Sequence, residues 1–323
     1  VGRLFIDSSF GVVVPHNKRI SHEVLIPEKN IGKAKDGEFV VVEISEYPSR
    51  RRNAIGKILE VLGDHSKPGL EIEVALRSHS LPHIWPKNVG NEVERIPKQL
   101  EPLDIEGRFD LRDIPFVTID GEDAKDFDDA VFAHRHQRGN WTLYVAIADV
   151  SHYVQIGSAF DEEAIHRGTS VYFPGHVIPM LPEELSNGLC SLKPKVDRLA
   201  MICEMEISAQ GHLLDFSFYE GIIHSHARMT YTDVATILLD PFNATEEKVQ
   251  KRVVQKYQGL TKHLDDLYSL YKALRTAREN DGAMDFESRE TRIVFGEDKK
   301  IKEIVQVERN DAHRLIEECM LCA

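Results

Sequence analysis

The first sixty residues carry short apolar bursts too brief for helices. "RLFIDSSFGVVVP" reads as two apolar stretches about a Ser-Ser turn, "EFVVVEI" as a further strand, and "AIGKILEVLG" as another, with Gly56 and Gly63 as punctuation. Several short strands at this spacing predict a small closed β-barrel over residues 1–63. Residues 64–107 are broken by Pro68, Pro82, Pro86, Pro97 and Pro102 and carry mixed charge. They read as a connector with one helical piece near "IEVALRSHS".

From residue 108 strand and helix signals mix. "NWTLYVAIADV" predicts a buried strand, apolar through Ile147, and "LAMICEMEISAQGHLLDFSFYEGII" alternates on both sides of Gln210-Gly211, a hairpin signal. Val253, Tyr257, Leu260, Leu264, Leu267, Tyr271 and Leu274 recur at three- and four-residue steps, interrupted by Gly259. That period predicts a helix or helical hairpin packed on the domain. The last stretch, "AHRLIEECMLCA", is amphipathic and stops without a capping residue, so the chain reads as a fragment. The fold class expected is α+β: a small OB-type barrel, then a mixed α/β domain.

Composition narrows the class. The chain has 323 residues, enough for two domains, and a net charge of −13. That charge is uneven: residues 1–100 hold 15 Lys/Arg against 13 Asp/Glu, and the remainder 25 against 40. A neutral-to-basic module therefore precedes an acidic one. No run of eighteen or more apolar residues occurs and the start shows no signal peptide, so the expectation is a cytoplasmic protein without a membrane partner, and a monomer. Four cysteines are too few for a disulfide framework. Cys319 and Cys322 form a C-x-x-C inside an apolar-periodic run, which favours buried helix thiols over a zinc or redox pair. Arg50, Arg51 and Arg52 form a basic cluster before the last barrel strand. Phe5, Phe10 and Phe39 could stack bases there, but core packing is the expected role for at least two of them.

The densest chemistry lies in "IDGEDAKDFDDAV", Ile119 to Val131, where six of thirteen residues are acidic between apolar flanks. Extended backbone would place Asp126 and Asp128 on one face and Asp129 on the other. Convergence of Asp120, Asp126, Asp128 and Asp129 therefore requires bends, which Gly121 permits after Asp120. Converging carboxylates need positive charge that Lys125 alone does not supply, and oxygen-only ligands suit hard ions such as Mg²⁺ or Mn²⁺. Such ions keep several waters and are completed by phosphate oxygens, which points to phosphoryl chemistry. A calcium EF-hand loop fails in every register, since Ala124 or Ala130 occupies the fifth position. A solvated acidic loop is the plain alternative, and the apolar flanks argue against it.

"FVTIDGEDAKDFDDAV" resembles the signature of the catalytic domain of the ribonuclease II/ribonuclease R family, D-x5-D-x-DD-A. "LYVAIADVSHYV", "RGTSVYFPGHVIPMLPEELSNGLCSL", "HSHARMTYTDV" and "RNDAHRLIEECM" resemble further motifs, those of the ribonuclease R branch, in the family's order. The resemblance implies a cold-shock barrel at 1–63 that guides single-stranded RNA, and the N-terminal part of the RNB catalytic domain at 108–323. It implies a processive 3′→5′ exoribonuclease that uses two Mg²⁺ ions, Mn²⁺ substituting, to release nucleoside 5′-monophosphates. By the same resemblance Asp120, Asp126, Asp128 and Asp129 are the catalytic, metal-binding carboxylates. Tyr172 and Phe286 flank the base at the RNA 3′ end. Glu317 is a further active-site acid, with Glu318 the alternative register. The family's catalytic domain runs past the point matched by Ala323, into a segment whose arginine serves the phosphate site, so weak RNA binding and little cleavage are expected of these residues alone. A non-catalytic RNA-binding module is the alternative of a different class. It predicts loss of metal carboxylates, and all four are present. DNA as substrate is not excluded by residue types, because base stacking is blind to the sugar.

Overall fold

The computed structural model describes residues 1–323 apart from residues 8, 50–51, 68, 239–243, 285–289, 296–300 and 308. The chain divides into two compact units, the first holding Val1–Pro86 together with Ile165–Ile178 and Phe295–Ile301. In it β1 (Gly2–Asp7), β2 (Phe10–Pro15), β3 (Val24–Pro27), β4 (Phe39–Glu46) and β5 (Ala54–Gly63) form a closed barrel in the order β1-β2-β3-β5-β4. Only β3 and β5 run parallel, and β4 closes on β1 through Gly2↔Val40 and Arg3↔Phe39. This is the five-stranded OB arrangement. Alternation fills it: Leu4, Val13, Val24, Ile26, Val40 and Ala54 point inward. At Gly56 a Cβ would sit 2.8 Å from the Glu43 carbonyl oxygen, so only glycine lets β5 approach β4 this closely.

Two expectations change here. Of the three phenylalanines only Phe39 is buried, at 8% exposure, while Phe5 and Phe10 remain 42% and 39% exposed. The cause is register: with Leu4 and Val13 turned inward, Phe5 and its partner Val12 face out. The strand Val24–Pro27 was not foreseen, because four residues between charged neighbours carry too little periodicity. Helix α1 (Leu70–Ser78) falls where the helical piece was expected, and its Leu70 and Val74 pack with Phe39 and Leu62 of the barrel.

Beyond Pro86 come α2 (Lys87–Val93), α3 (Pro102–Ile105), β6 (Phe109–Asp110), β7 (Val117–Asp120), β8 (Asp129–Arg135) and β9 (Trp141–Ala148). The connector thus holds three helices where one was expected, since α2 and α3 are too short to show a period. Next are α4 (Val150–Tyr153), α5 (Ala159–Arg167) and the hairpin β10 (Val171–Phe173) and β11 (His176–Ile178). The chain continues through β12 (Asp197–Ile207), β13 (Leu213–His224), β14 (Ala227–Thr230), α6 (Tyr231–Leu238), α7 (Ala244–Lys256) and α8 (Thr261–Asn280). A two-stranded pair, β15 (Glu290–Phe295) and β16 (Ile301–Val307), precedes α9 (Asp311–Cys322).

The second unit is built on a seven-stranded sheet, β14-β7-β8-β9-β12-β13-β6, with β14 parallel to β7. Val131, Leu143, Val145 and Met205 on one face share a core with Leu264, Leu267 and Leu270 of α8 and Leu315 and Ile316 of α9. The helical run is two helices, α7 and α8, parted near Gly259, whose φ of +93° favours glycine. The β12–β13 turn is at Gln210-Gly211, where φ is +85° and a Cβ would strike the Ala273 carbonyl of α8. Ile147 is more exposed than a buried strand predicts. It lies opposite Asp129 in register, at the end of the sheet that carries the acidic loop. Cys319 is buried within α9 and its thiol is pushed upward by burial, in keeping with a packing role. Among the described residues no helix is long and apolar enough to cross a membrane.

Candidate active site

Asp120 ends β7 and Asp129 begins β8, so the acidic loop is the connection between two neighbouring sheet strands. Its backbone is held from several sides. The buried Ser191 hydroxyl donates to the Lys125 carbonyl at 2.9 Å and accepts from the Phe127 N–H at 3.0 Å. The Leu192 N–H donates to the Phe127 carbonyl at 2.8 Å, and the Phe127 ring is buried. Arg228 on β14 donates through Nη2 to the carbonyls of Gly121 and Glu122, each at 2.6 Å, and its guanidinium lies 5.6 Å from the Phe127 ring centroid. Ala148 N–H donates to the Asp128 carbonyl at 2.8 Å. Just beyond it, Asp149 accepts from Arg108 at 2.6 Å in a buried ion pair that fixes the end of β9. Sequence reading missed Ser191, Arg228 and Arg108. Ser191 and Arg228 stand in motifs of the sequence, but nothing local marks any of the three as a partner of the loop.

The side chains show the opposite balance. Burial, then the charge of Asp126, raises Asp120 above the ordinary carboxylate range, against the Gly121 N–H that its Oδ1 accepts at 2.6 Å. Burial followed by Asp126 and Asp120 raises Asp128. Its side chain still keeps open surface, so solvent tempers that shift. Asp129 is pushed up to about 6 by burial, then by Asp120 and Asp128, and its Oδ2 is buried without a hydrogen-bond partner. Asp120 and Asp128 are thus coupled through charge to each other, and each of them to Asp126 and Asp129.

Helix α9 adds the glutamate. Asn310 caps it, accepting from Ala312 N–H at 3.0 Å and His313 N–H at 3.3 Å. The two candidate acids have different surroundings. Glu318 is buried and accepts from Arg278 of α8 at 3.0 and 3.1 Å. Glu317 pairs with Arg309 and lies near Tyr231, whose hydroxyl is pushed up to about 12 by burial and by the charges of Asp120, Asp129 and Glu317. Tyr231 stacks on His313 at 3.9 Å between ring centroids. Glu317 thus shares Tyr231 as a neighbour with Asp120 and Asp129, and Tyr231 and His313 are residues near the loop that the sequence did not single out.

Tyr172 belongs to the first compact unit, on the β10–β11 hairpin opposite Val177, and is 66% exposed. Phe286 lies outside the described residues. Among the described residues no three carboxylate, imidazole or thiolate side chains converge on a single ion position. The donor set still fits Mg²⁺, which binds through one or two carboxylates and keeps its remaining waters. The unpartnered Asp129 Oδ2 is the kind of buried acceptor such an ion satisfies.

The RNB domain family matches residues 108–323, two thirds of the chain and the whole of this site. The chain belongs to the RNB family. A Cold shock domain matches residues 13–86 of the same chain, in the unit that holds the barrel. This RNB chain is 50% identical to ribonuclease R of Escherichia coli (strain K12) over all 323 residues, which cover 39% of that protein. It is 42% identical to ribonuclease R of Thermotoga maritima over 318 residues, 98% of the chain and 43% of the relative. The chain thus spans about two fifths of the length of these curated relatives. Among solved structures it resembles Mycoplasma genitalium RNase R in complex with ribose-methylated single-stranded RNA. The TM-score is 0.86 at 28% identity, over 99% of this chain and 49% of that one. Yeast Ssd1, a pseudonuclease, shares the fold at TM-score 0.63 and 18% identity, over 88% of this chain and 34% of its own. The RNB fold alone therefore does not decide catalysis, and the site must.

Proposed function

We propose that the protein carrying this chain is a 3′→5′ exoribonuclease that hydrolyses single-stranded RNA to nucleoside 5′-monophosphates. The observation that carries the reading is the mutual crowding of Asp120, Asp126, Asp128 and Asp129, with the Asp129 Oδ2 buried and unpartnered. A nuclease fold that had lost its chemistry would have no use for charge this expensive to hold. Two Mg²⁺ ions, held by these aspartates, would supply an activated water and stabilise the leaving 3′ oxygen. The chain's own part is to hold the carboxylates in place through Ser191, Arg228 and the Ala148–Asp128 hydrogen bond. Glu317 adds negative charge on the α9 side. The barrel supports the RNA reading: Arg3, Phe5, Val12 and Val14 lie side by side on its outer surface, with the Arg3 guanidinium 5.4 Å from the Phe5 ring centroid. Exposed aromatic and cationic groups of this kind hold single strands with little regard to sequence. Similarity to ribonuclease R over the whole chain, and to a structure of that enzyme with RNA, favours the same substrate.

The test is Asp128→Asn, which keeps shape and removes one charge. In single-turnover assays with Mg²⁺ and 3′-labelled RNA, hydrolysis should fall at least about 10²-fold, the scale of losing one preorganised electrostatic contact, while RNA binding persists. Hydrolysis at the unaltered rate would refute the assignment of the acidic loop as the metal site.

A further inference from the structure

The segment Ile165–Ile178 lies between stretches of the second unit in sequence, yet it groups with Val1–Pro86. Within that segment is the β10–β11 hairpin, a two-stranded sheet of its own. A two-stranded hairpin is marginal in water by itself, and Tyr172 and Val177 both face solvent. Ile178 at its far end is buried, so one end is anchored in apolar surroundings. The other end has a different fastening. Arg167, the last residue of α5, places its guanidinium carbon 3.4 Å from the centroid of the Trp85 ring. Attraction of this kind operates out to about 6 Å, so at 3.4 Å the cation lies close over the ring. Arg167 Nη2 also reaches the Ile84 carbonyl at 3.5 Å. Gly168, at φ +74°, then turns the chain out of the helix, and Tyr172 follows within a few residues.

We propose that the Trp85–Arg167 stack is a clamp that fixes the Tyr172 hairpin to residues 1–86, which makes Trp85 a positioning residue for the RNA 3′ end. The second half rests on the reading in which Tyr172 stacks on the terminal base. The stack joins the segment that carries the hairpin to residues 1–86. The planar guanidinium is what the geometry uses, so lysine at 167 does not replace it. So short a tether transmits any loosening of Arg167 directly to Tyr172.

Amide hydrogen exchange on the 323-residue chain reads the clamp without any activity. Trp85→Ala should speed exchange of Val171–Ile178 about fivefold to thirtyfold, as loss of a stack of this strength dictates, and leave β1, β2 and β4 unchanged. Arg167→Lys should do the same, and Trp85→Phe, which keeps a ring, should restore most of the protection. Unchanged exchange in Trp85→Ala would overturn the clamp. In the protein carrying the chain, Trp85→Ala should shift the smallest limit product in the same sense as Tyr172→Ala, with Trp85→Phe restoring it. If Tyr172→Ala shifts the product and Trp85→Ala leaves it alone, the positioning role is refuted. If Tyr172→Ala itself leaves the product unchanged, the stacking reading fails, and the exchange data still decide the clamp.

Discussion

Asp129→Asn should make the metal-free chain more stable at neutral pH while crippling its response to metal. The Asp129 carboxyl sits at about 6 in the fold, against an ordinary value of 3.8. A gap of about two pH units, at about 1.4 kcal/mol each, is about 3 kcal/mol. The group is raised in the fold, so its contribution is fully present below about pH 4. It is lost as pH rises through about 6, where the native chain must ionise a buried carboxyl beside Asp120 and Asp128. Asparagine is neutral throughout. In EDTA, urea unfolding followed by circular dichroism should give matching stabilities for wild type and variant near pH 4. At pH 7.5 the variant should be ahead by up to about 3 kcal/mol. Mg²⁺ at a hundredfold excess over its dissociation constant should return about 2.7 kcal/mol to the wild type and much less to the variant. A variant no more stable than wild type at pH 7.5, or an advantage independent of pH, would refute the account of a strained carboxylate awaiting a cation.

Two further outcomes follow from the same geometry. Arg228→Lys loses the forked donor that serves the Gly121 and Glu122 carbonyls, so it should cost about 1.5–3 kcal/mol in urea unfolding and weaken Mn²⁺ binding measured by electron paramagnetic resonance; unchanged Mn²⁺ affinity would show that the turn holds itself. Tyr172→Ala, in the protein carrying this chain, should change the smallest RNA limit product while leaving the unfolding midpoint close to wild type, because the ring is exposed; an identical product ladder would make Tyr172 a surface residue without a role at the 3′ end.

The β-barrel, the helical run and the β12–β13 turn were legible because each has a local cause: alternation, a three- and four-residue period, and glycine at a positive φ. What escaped was phase and distance. Whether Phe5 faces inward depends on its pairing with Val12 and on the inward turn of Leu4, and a six-residue strand does not reveal which face meets the core. Glu317 and Glu318 are adjacent letters, and only the packing of Leu315, Ile316 and Cys319 sets the phase of α9 that sends one to Tyr231 and the other to Arg278. The loop's supports are further still: Ser191 lies 64 residues from Phe127, and Arg228 lies 107 from Gly121. A serine that binds one amide and one carbonyl has no signature in its own neighbourhood.

The division of labour in the loop also determines which substitutions report on chemistry. Apart from the Thr232 hydroxyl, which donates to the Glu122 carboxylate at 2.5 Å, the long-range anchors named above grip backbone atoms: the carbonyls of Gly121, Glu122, Lys125, Phe127 and Asp128, and the amide of Phe127. None of these backbone bonds depends on the charge of a carboxylate, whereas the upward shifts of Asp120, Asp128 and Asp129 depend on little else besides burial. Aspartate-to-asparagine changes therefore alter charge with the frame intact, and they separate catalysis from folding. Changes at Ser191 or Arg228 move the frame, and with it every carboxylate at once, so lost activity there says nothing about which aspartate binds an ion. The same separation accounts for the density of "DGEDAKDFDDA". A loop whose backbone is satisfied by distant partners tolerates side-chain repulsion that would unravel a loop held together by its own side chains.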